Sequence, residues 1–166
     1  RGVTKQQTID LINKIREEVP GIALRTTLMV GHPGETEEDY RELEDFVKTM
    51  KFERLGVFPY SHEEDTYCDK HYQDDVSEET KNKRAEKLMA LQEGVVAALN
   101  ESCVGKRFWV LIDRVEGDYF VGRTQYDSPE VDQEVFVTSE KALQIGEFYE
   151  VLITEAGQFE LYAKCE

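Results

Sequence analysis

The chain has few cysteines, and the three it has are far apart. Cys68, Cys103 and Cys165 form neither a C-x-x-C zinc motif nor the C-x-x-x-C-x-x-C motif of an iron–sulfur cluster. Histidines and carboxylates gather between His62 and Asp74, but without the i, i+4 spacing that preorganises a metal site. We therefore interpret the cysteines as free thiols and that segment as solvated loop charge, and we predict no metal site.

Long apolar runs are missing as well. No segment approaches the roughly 18–20 apolar residues needed to cross a bilayer, and the first residues do not resemble a signal peptide. We therefore expect a cytoplasmic protein with no membrane partner. Basic residues are also scarce, since 20 Lys and Arg stand against 35 Asp and Glu and the net charge is −15. Such a field repels phosphate backbones and attracts basic proteins, so nucleic acid is the less favoured partner.

The first half of the chain alternates helix and strand patterns. A capping box at Thr4 predicts a helix as far as Val19, and residues 22–30 are predicted to form a strand with few exposed positions. Thr36 is predicted to cap a second helix, and residues 55–60 to form a second strand. This order predicts right-handed βαβ winding with two neighbouring parallel strands.

The second half has a different pattern. Residues 61–76 are predicted to be an irregular loop, and Ser77 to cap a long helix running to about Glu101. Five short strand-like runs follow, separated by turn signals: 106–115, 119–123, 134–137, 148–154 and 159–163. They predict a small five-stranded antiparallel barrel. The fold class is therefore α/β followed by all-β, with domains at 1–76, 77–103 (a linker helix) and 104–166.

Four segments resemble, in order, motifs of one enzyme family. Residues 30–39 (VGHPGETEED) are similar to the G-F-P-G-E-T-E-E-D signature that follows a late barrel strand in radical S-adenosylmethionine methylthiotransferases. Residues 56–61 resemble the next strand of that family, and residues 84–92 its R-x-x-x-L-M-x-L-Q linker helix. Residues 122–132 resemble the G-R-x-x-x-D-A-P-E-V-D run in the TRAM domain of the RimO-type branch, which modifies an aspartate of ribosomal protein twelve of the small subunit.

The resemblance covers most of the chain, with local departures. His32 stands where the family usually has phenylalanine, Asp65 where it has glycine and Ser128 where it has alanine. Asp65 is expected to alter its loop, because glycine tolerates positive φ. The resemblance implies the last two βα units of a TIM-like barrel, a linker helix and an OB-like TRAM domain. It also implies that the cluster-binding parts lie upstream of Arg1.

The same resemblance implies a cofactor site in the first half. Backbone and apolar contacts to S-adenosylmethionine are expected from two runs: Gly31, His32, Pro33 and Gly34, and Val57, Phe58, Pro59 and Tyr60. The alternative is an ordinary βα turn. Strand alternation also places Arg25 and Thr27 on the more polar face, which suits a barrel lumen. Pairing of Arg25 with a structural acid is an equally open interpretation.

The second half carries the prediction about partners. Residues 101–166 contain 14 Asp and Glu against 6 Lys and Arg, a balance that suits a basic ribosomal protein better than RNA. The expected docking residues are Asp127, Glu130 and Asp132, with Arg123 in contact or orienting the loop.

The resemblance implies an enzyme that uses S-adenosylmethionine and 4Fe-4S clusters to add a methylthio group to the β-carbon of the ribosomal aspartate. This chain alone is expected to be inactive, and to self-associate because its barrel would be incomplete. Two alternatives stay open. One is a tRNA-adenosine methylthiotransferase of the same family, and the other is a non-catalytic acidic adaptor for a basic partner.

Overall fold

The computed structural model describes residues 2–166. Its helices and strands follow in this order: α1 Lys5–Glu18, β1 Arg25–Val30, α2 Glu37–Met50, β2 Arg54–Pro59, α3 Tyr67–His71, α4 Glu78–Glu101, β3 Arg107–Glu116, β4 Tyr119–Thr124, β5 Glu134–Ser139, β6 Phe148–Ala156 and β7 Glu160–Cys165. The chain divides into two compact units, one ending at Val95 and the other beginning at Val96.

The first unit contains the two predicted parallel strands. β1 pairs with β2 in register from Arg25 opposite Arg54 to Val30 opposite Pro59. The predicted capping box at Thr4 and the predicted cap at Thr36 are both present. At each, the threonine hydroxyl accepts the N3 amide proton and the N3 side chain accepts the N-cap amide proton, so Thr36 also forms a capping box. The inner face of the sheet packs on α2 and α4 through a core of Val30, Tyr40, Val47, Ala85 and Leu88.

Two predictions for this unit are wrong in detail. The first strand begins at Arg25 rather than at residue 22, and it alternates between exposed and more buried positions instead of having few exposed ones. Residues 61–76 are not wholly irregular, because Thr66 caps the short helix α3. Asp65 has φ +63°, so this aspartate adopts the left-handed backbone conformation that glycine favours.

The second unit is a closed barrel with the strand order β3-β4-β5-β7-β6. The prediction of an α/β part followed by a small five-stranded barrel is confirmed, but the barrel is not wholly antiparallel, because β5 and β7 run parallel. Glycine is required at position 122, where β4 pairs with β3, since a Cβ atom there would lie 2.2 Å from the Leu111 carbonyl oxygen. Nine buried side chains fill the barrel: Val110, Ile112, Val135, Val137, Leu143, Val151, Ile153, Leu161 and Ala163.

Candidate functional site

The loop after β1 lies at the carboxyl ends of the two parallel strands. Gly31 and Gly34 have φ of +75° and +82°, which makes the turn favourable for glycine at both positions. The Gly34 amide donates to an Asp75 carboxylate oxygen at 2.8 Å. The Tyr60 amide donates to the Val30 carbonyl at 2.8 Å, so the residues predicted from the two strand ends are adjacent in space.

Lys81 of α4 packs directly beneath this loop. Its side chain is fully buried, and a Cβ atom on Gly31 would lie 2.3 Å from Lys81 Cγ. The ammonium donates to Asp74 at 2.6 Å and to Glu78 at 2.7 Å, and it lies 5.3 Å from the centre of the Tyr60 ring. Burial opposes the charged form, but these hydrogen bonds outweigh it and raise the pKa of Lys81. The ammonium is therefore a fixed charge under the loop.

A buried ion pair holds the other end of the loop. One carboxylate oxygen of Glu35 accepts the Gly31 amide proton at 2.9 Å and an Arg84 guanidinium proton at 2.6 Å. Arg84 also donates to Glu37 at 3.3 Å and lies over the Tyr40 ring at 5.2 Å. Glu35 belongs to the first of the family-like motifs and Arg84 to the third, so the structure joins two motifs that are 49 residues apart. Both residues stand in motifs of the sequence, but nothing in the sequence predicts that they pair.

The His32 imidazole is exposed and sits among other polar rings. Its ring centre lies 5.4 Å from that of Tyr60 and 6.2 Å from that of Tyr72, both in edge-on geometry. Its Nε2 lies 3.5 Å from the Cys68 sulfur, and Nδ1 lies 3.0 Å from the Pro33 carbonyl oxygen. Burial, followed by the neighbouring Cys68, raises the pKa of Tyr60. The imidazole of His32 is therefore a ring at the position where the family that the chain resembles usually has the ring of phenylalanine.

The open face of the sheet carries the predicted lumen residues. Arg25, Thr27 and Met29 alternate on the exposed face of β1, and Met29 is opposite Phe58 in the register. Met29 and Phe58 are 54% and 59% exposed, so two apolar side chains lie open on this face near the loop. Val57 has the opposite orientation and packs against the inner core.

The second unit has a cleft of about 410 Å³ beside strands β5 and β7. We call it the barrel cleft. Its aromatic lining consists of Phe136, Phe159 and Tyr162, and its acidic lining consists of Glu130, Asp132, Glu134 and Glu160. The rings of Phe136 and Tyr162 stack with centres 5.6 Å apart. The structure thus brings together two predicted docking residues with five that sequence reasoning missed.

The other two predicted docking residues have local partners outside the barrel cleft. Arg123 pairs with Asp113 at 2.7 Å. Asp127 is buried and accepts the Thr124 hydroxyl proton at 2.5 Å, in the turn after β4. The Asp132 carboxylate accepts the Ser128 amide proton at 2.7 Å, which shapes the loop that leads to the cleft. A docking role for Arg123 and Asp127 stays a prediction.

Residues 104–165 match the TRAM domain family. Over 164 residues, or 98% of its length, the chain is 57% identical to ribosomal protein uS12 methylthiotransferase RimO of Phocaeicola vulgatus. It is 56% identical over 166 residues to the protein of the same name from Porphyromonas gingivalis, and 52% identical over 165 residues to that from Bacteroides thetaiotaomicron. The resemblance to the RimO-type methylthiotransferases is confirmed.

The similarity covers only part of those relatives. The chain spans 38% of the length of each of the three. Within that part, the barrel of the second unit corresponds to the matched TRAM domain, and the loop with its ion pairs lies in the first unit. Among residues 2–166, no helix is both long and apolar enough to cross a membrane.

Proposed function

We propose that the chain is the C-terminal part of a radical S-adenosylmethionine methylthiotransferase that adds a methylthio group to the β-carbon of an aspartate in ribosomal protein uS12, in the cytoplasm. The observation that carries this proposal is the identity of 52–57% to proteins named for that activity, over at least 98% of the chain. In this proposal the first unit is the end of a TIM-like barrel and contributes to a cofactor pocket, and the TRAM domain contributes the docking surface.

The open face of the two-stranded sheet, beside the loop after β1, suits S-adenosylmethionine. Exposed Met29 and Phe58 offer apolar contact for a flat base, while Arg25 and Thr27 offer polar contact on the same face. In residues 2–166, no group of three His, Cys, Asp or Glu side chains is placed to hold a metal ion, so this part of the chain does not fit a 4Fe-4S cluster. We propose that the cluster ligands belong to another part of the protein.

The radical chemistry is supplied by S-adenosylmethionine and the clusters when they are bound. In this proposal, the residues of this chain position the cofactor and enclose it. Gly31 and Gly34 bring the loop backbone close to the pocket, and the Glu35–Arg84 pair holds that loop in place. His32, Pro33, Pro59 and Tyr60 complete the rim on the loop side. On the TRAM domain, acidic Glu130 and Asp132 face the basic substrate protein.

The proposal is tested with the complete protein that contains this chain. Reconstituted with iron, sulfide and S-adenosylmethionine, it should add a methylthio group to an aspartate of uS12, detected by mass spectrometry of the digested substrate. Arg25→Ala should lower turnover if Arg25 faces the pocket, and Lys14→Ala, an exposed change on α1, is the control. Modification of a tRNA anticodon stem-loop instead of uS12 would overturn the substrate, and binding of uS12 with no transfer would favour an adaptor.

We also expect the 166-residue chain by itself to show no methylthio transfer, because it contains no cluster motif. Transfer by the purified chain would contradict the proposed division of labour between this part and the rest of the protein.

A further inference from the structure

The barrel cleft has an arrangement of charge that the fold does not need. In the parallel register of β5 and β7, Glu134 stands directly opposite Glu160, and Phe136 stands directly opposite Tyr162. Like charges directly opposite each other destabilise a sheet. Alternation along the strands places these two pairs on the same face, so two carboxylates lie next to a stacked pair of aromatic rings. Repulsion between the two carboxylates of this pair, at the mouth of the cleft, therefore lowers the stability of the sheet.

Only part of that negative charge is compensated within the barrel. Glu134 makes a bidentate ion pair with Arg114, which also pairs with Glu116. Glu160 accepts the amide proton of Phe159 at 3.2 Å, a contact that orients the carboxylate without neutralising it. Burial, followed by the charge of Glu160, raises the pKa of Tyr162.

The aromatic residues make the barrel cleft more than an acidic surface. Phe136 and Tyr162 form its floor as a stacked pair, and Phe159, which is 52% exposed, stands at its edge. Aromatic faces attract ammonium and guanidinium groups, and more strongly when the cation is partly desolvated. A volume of about 410 Å³ lies in the lower range of small-ligand sites and has room for one long side chain.

We propose that the barrel cleft binds a lysine or arginine side chain from a basic segment of the partner protein. The aliphatic stem of that side chain packs on the Phe136–Tyr162 stack, and its cationic head sits between Glu160 and Asp132, with Phe159 covering one side. This inference deepens the docking role proposed above and rests on that part of it alone. Nucleic acid is disfavoured here, because aromatic faces can stack bases but the carboxylates beside them repel phosphates.

The test is a calorimetric titration of the full 166-residue chain with a short oligolysine peptide, an oligoarginine peptide and the same oligolysine with every lysine acetylated. The two cationic peptides should bind, binding should weaken with added salt, and the acetylated peptide should not bind. Glu160→Gln keeps the size of the side chain and should weaken binding roughly tenfold. Phe159→Ala should weaken it by a similar factor.

Matched controls exist on the same barrel. Glu150 pairs with Arg107 on β3, outside the barrel cleft, and Phe148 is 57% exposed. Glu150→Gln and Phe148→Ala should therefore change affinity by less than about twofold. Equal losses in the controls and in the cleft variants would mean that peptides bind the acidic surface in general, and would overturn the inference. So would binding of the acetylated peptide, or preferential binding of a single-stranded RNA at the cleft.

A second readout separates binding from folding. Because Glu160→Gln removes a like-charge pair, the free variant should be at least as stable to urea as the parent chain, with Trp109 fluorescence as the barrel reporter. Weaker binding together with lower stability would point to a structural role instead. If the complete protein transfers methylthio groups normally with Glu160→Gln, this inference fails while the proposed function stands; if the cleft binds as expected but no transfer occurs, the reverse holds.

Discussion

Gly31 is the residue at which backbone conformation and packing both exclude a side chain. Its φ is +75°, and a Cβ atom would lie 2.3 Å from the buried stem of Lys81. Gly34 has a similar φ of +82°, but a Cβ atom added there would have nothing within 4 Å. A substitution at Gly34 therefore measures the cost of the backbone conformation without a steric clash. We expect Gly34→Ala to lower the free energy of unfolding by about 1 kcal/mol, and Gly31→Ala by about 2–4 kcal/mol.

The measurement is urea unfolding followed by far-ultraviolet circular dichroism, which reports mainly on helices α1, α2 and α4. Trp109 is the single tryptophan and lies in the barrel, so its fluorescence is an internal control that both changes should leave unaltered. Equal costs at the two glycines would show that Lys81 moves aside freely.

The Glu35–Arg84 pair gives a second prediction at the same scale. The two side chains are 12% and 9% exposed, and removing one partner strands a buried charge. Glu35→Gln can still accept the Gly31 amide proton but no longer compensates Arg84, so we expect a loss of about 3 kcal/mol in unfolding free energy. Glu37→Gln removes the more exposed contact to the same guanidinium and should cost below about 0.5 kcal/mol. Similar costs for both would contradict a buried clamp.

At the residue scale, helix caps could be predicted from the sequence, but the burial of charged side chains could not. Thr4 and Thr36 were predictable as caps, because their hydrogen bonds span three residues. Lys81 was not, because nothing in a charged helical stretch shows that one lysine is buried against a glycine of another element. Asp127 was predicted as a docking residue, and the burial of its carboxylate in its own turn was not predicted. Whether a charged side chain is buried depends on how the elements pack around it, which local sequence patterns do not show.

At the scale of elements, the strands and the parallel pairing of β1 with β2 were predictable, but the strand order of the barrel was not. The turn signals marked all five barrel strands, while the parallel pairing of β5 with β7 follows from closure of the barrel, which no local pattern encodes. Helix α3 was not predicted, because it is short. It has five residues, too few for a helical period to appear in the sequence.

One ion pair ties strands that are not neighbours. Arg114 of β3 reaches across β4 to Glu134 of β5, and its hydrogen bonds lower the pKa of Glu134 below the ordinary value. Because the native pKa is below the unfolded one, this contribution to stability is fully present above about pH 4.3 and is lost as the pH falls through the native pKa.

We therefore expect the urea midpoint reported by Trp109 fluorescence to fall between about pH 5 and pH 3, and Glu134→Gln to make that fall shallower. Glu147→Gln, at an exposed position of the same barrel, is the control and should keep the parent slope. If the urea midpoint of Glu134→Gln falls with pH as steeply as that of the parent chain, the ion pair contributes nothing to the loss of stability in acid.

At the scale of the whole molecule, the first unit presents an unfinished sheet. Among residues 2–166, β1 and β2 form a sheet of two strands, so each has an edge with no strand partner in the described part of the chain, and the exposed face carries Met29 and Phe58. Open edges and contiguous apolar surface promote association between copies of a chain. We expect the 166-residue chain to form dimers or larger species as its concentration rises, measured by light scattering after size-exclusion chromatography.

A matched pair of phenylalanine variants tests the role of this surface. Phe58→Ser should shift association to higher concentration, because it removes apolar area from the open sheet. Phe148→Ser removes a phenylalanine of nearly equal exposure from the barrel, 57% against 59%, and should leave association unchanged. Joining the chain to the remainder of the complete protein should also suppress association if that remainder covers the sheet. A monomer at every concentration would contradict the prediction of self-association. An effect of Phe148→Ser alone would show that the open sheet is not the contact surface and would place self-association in the TRAM domain instead.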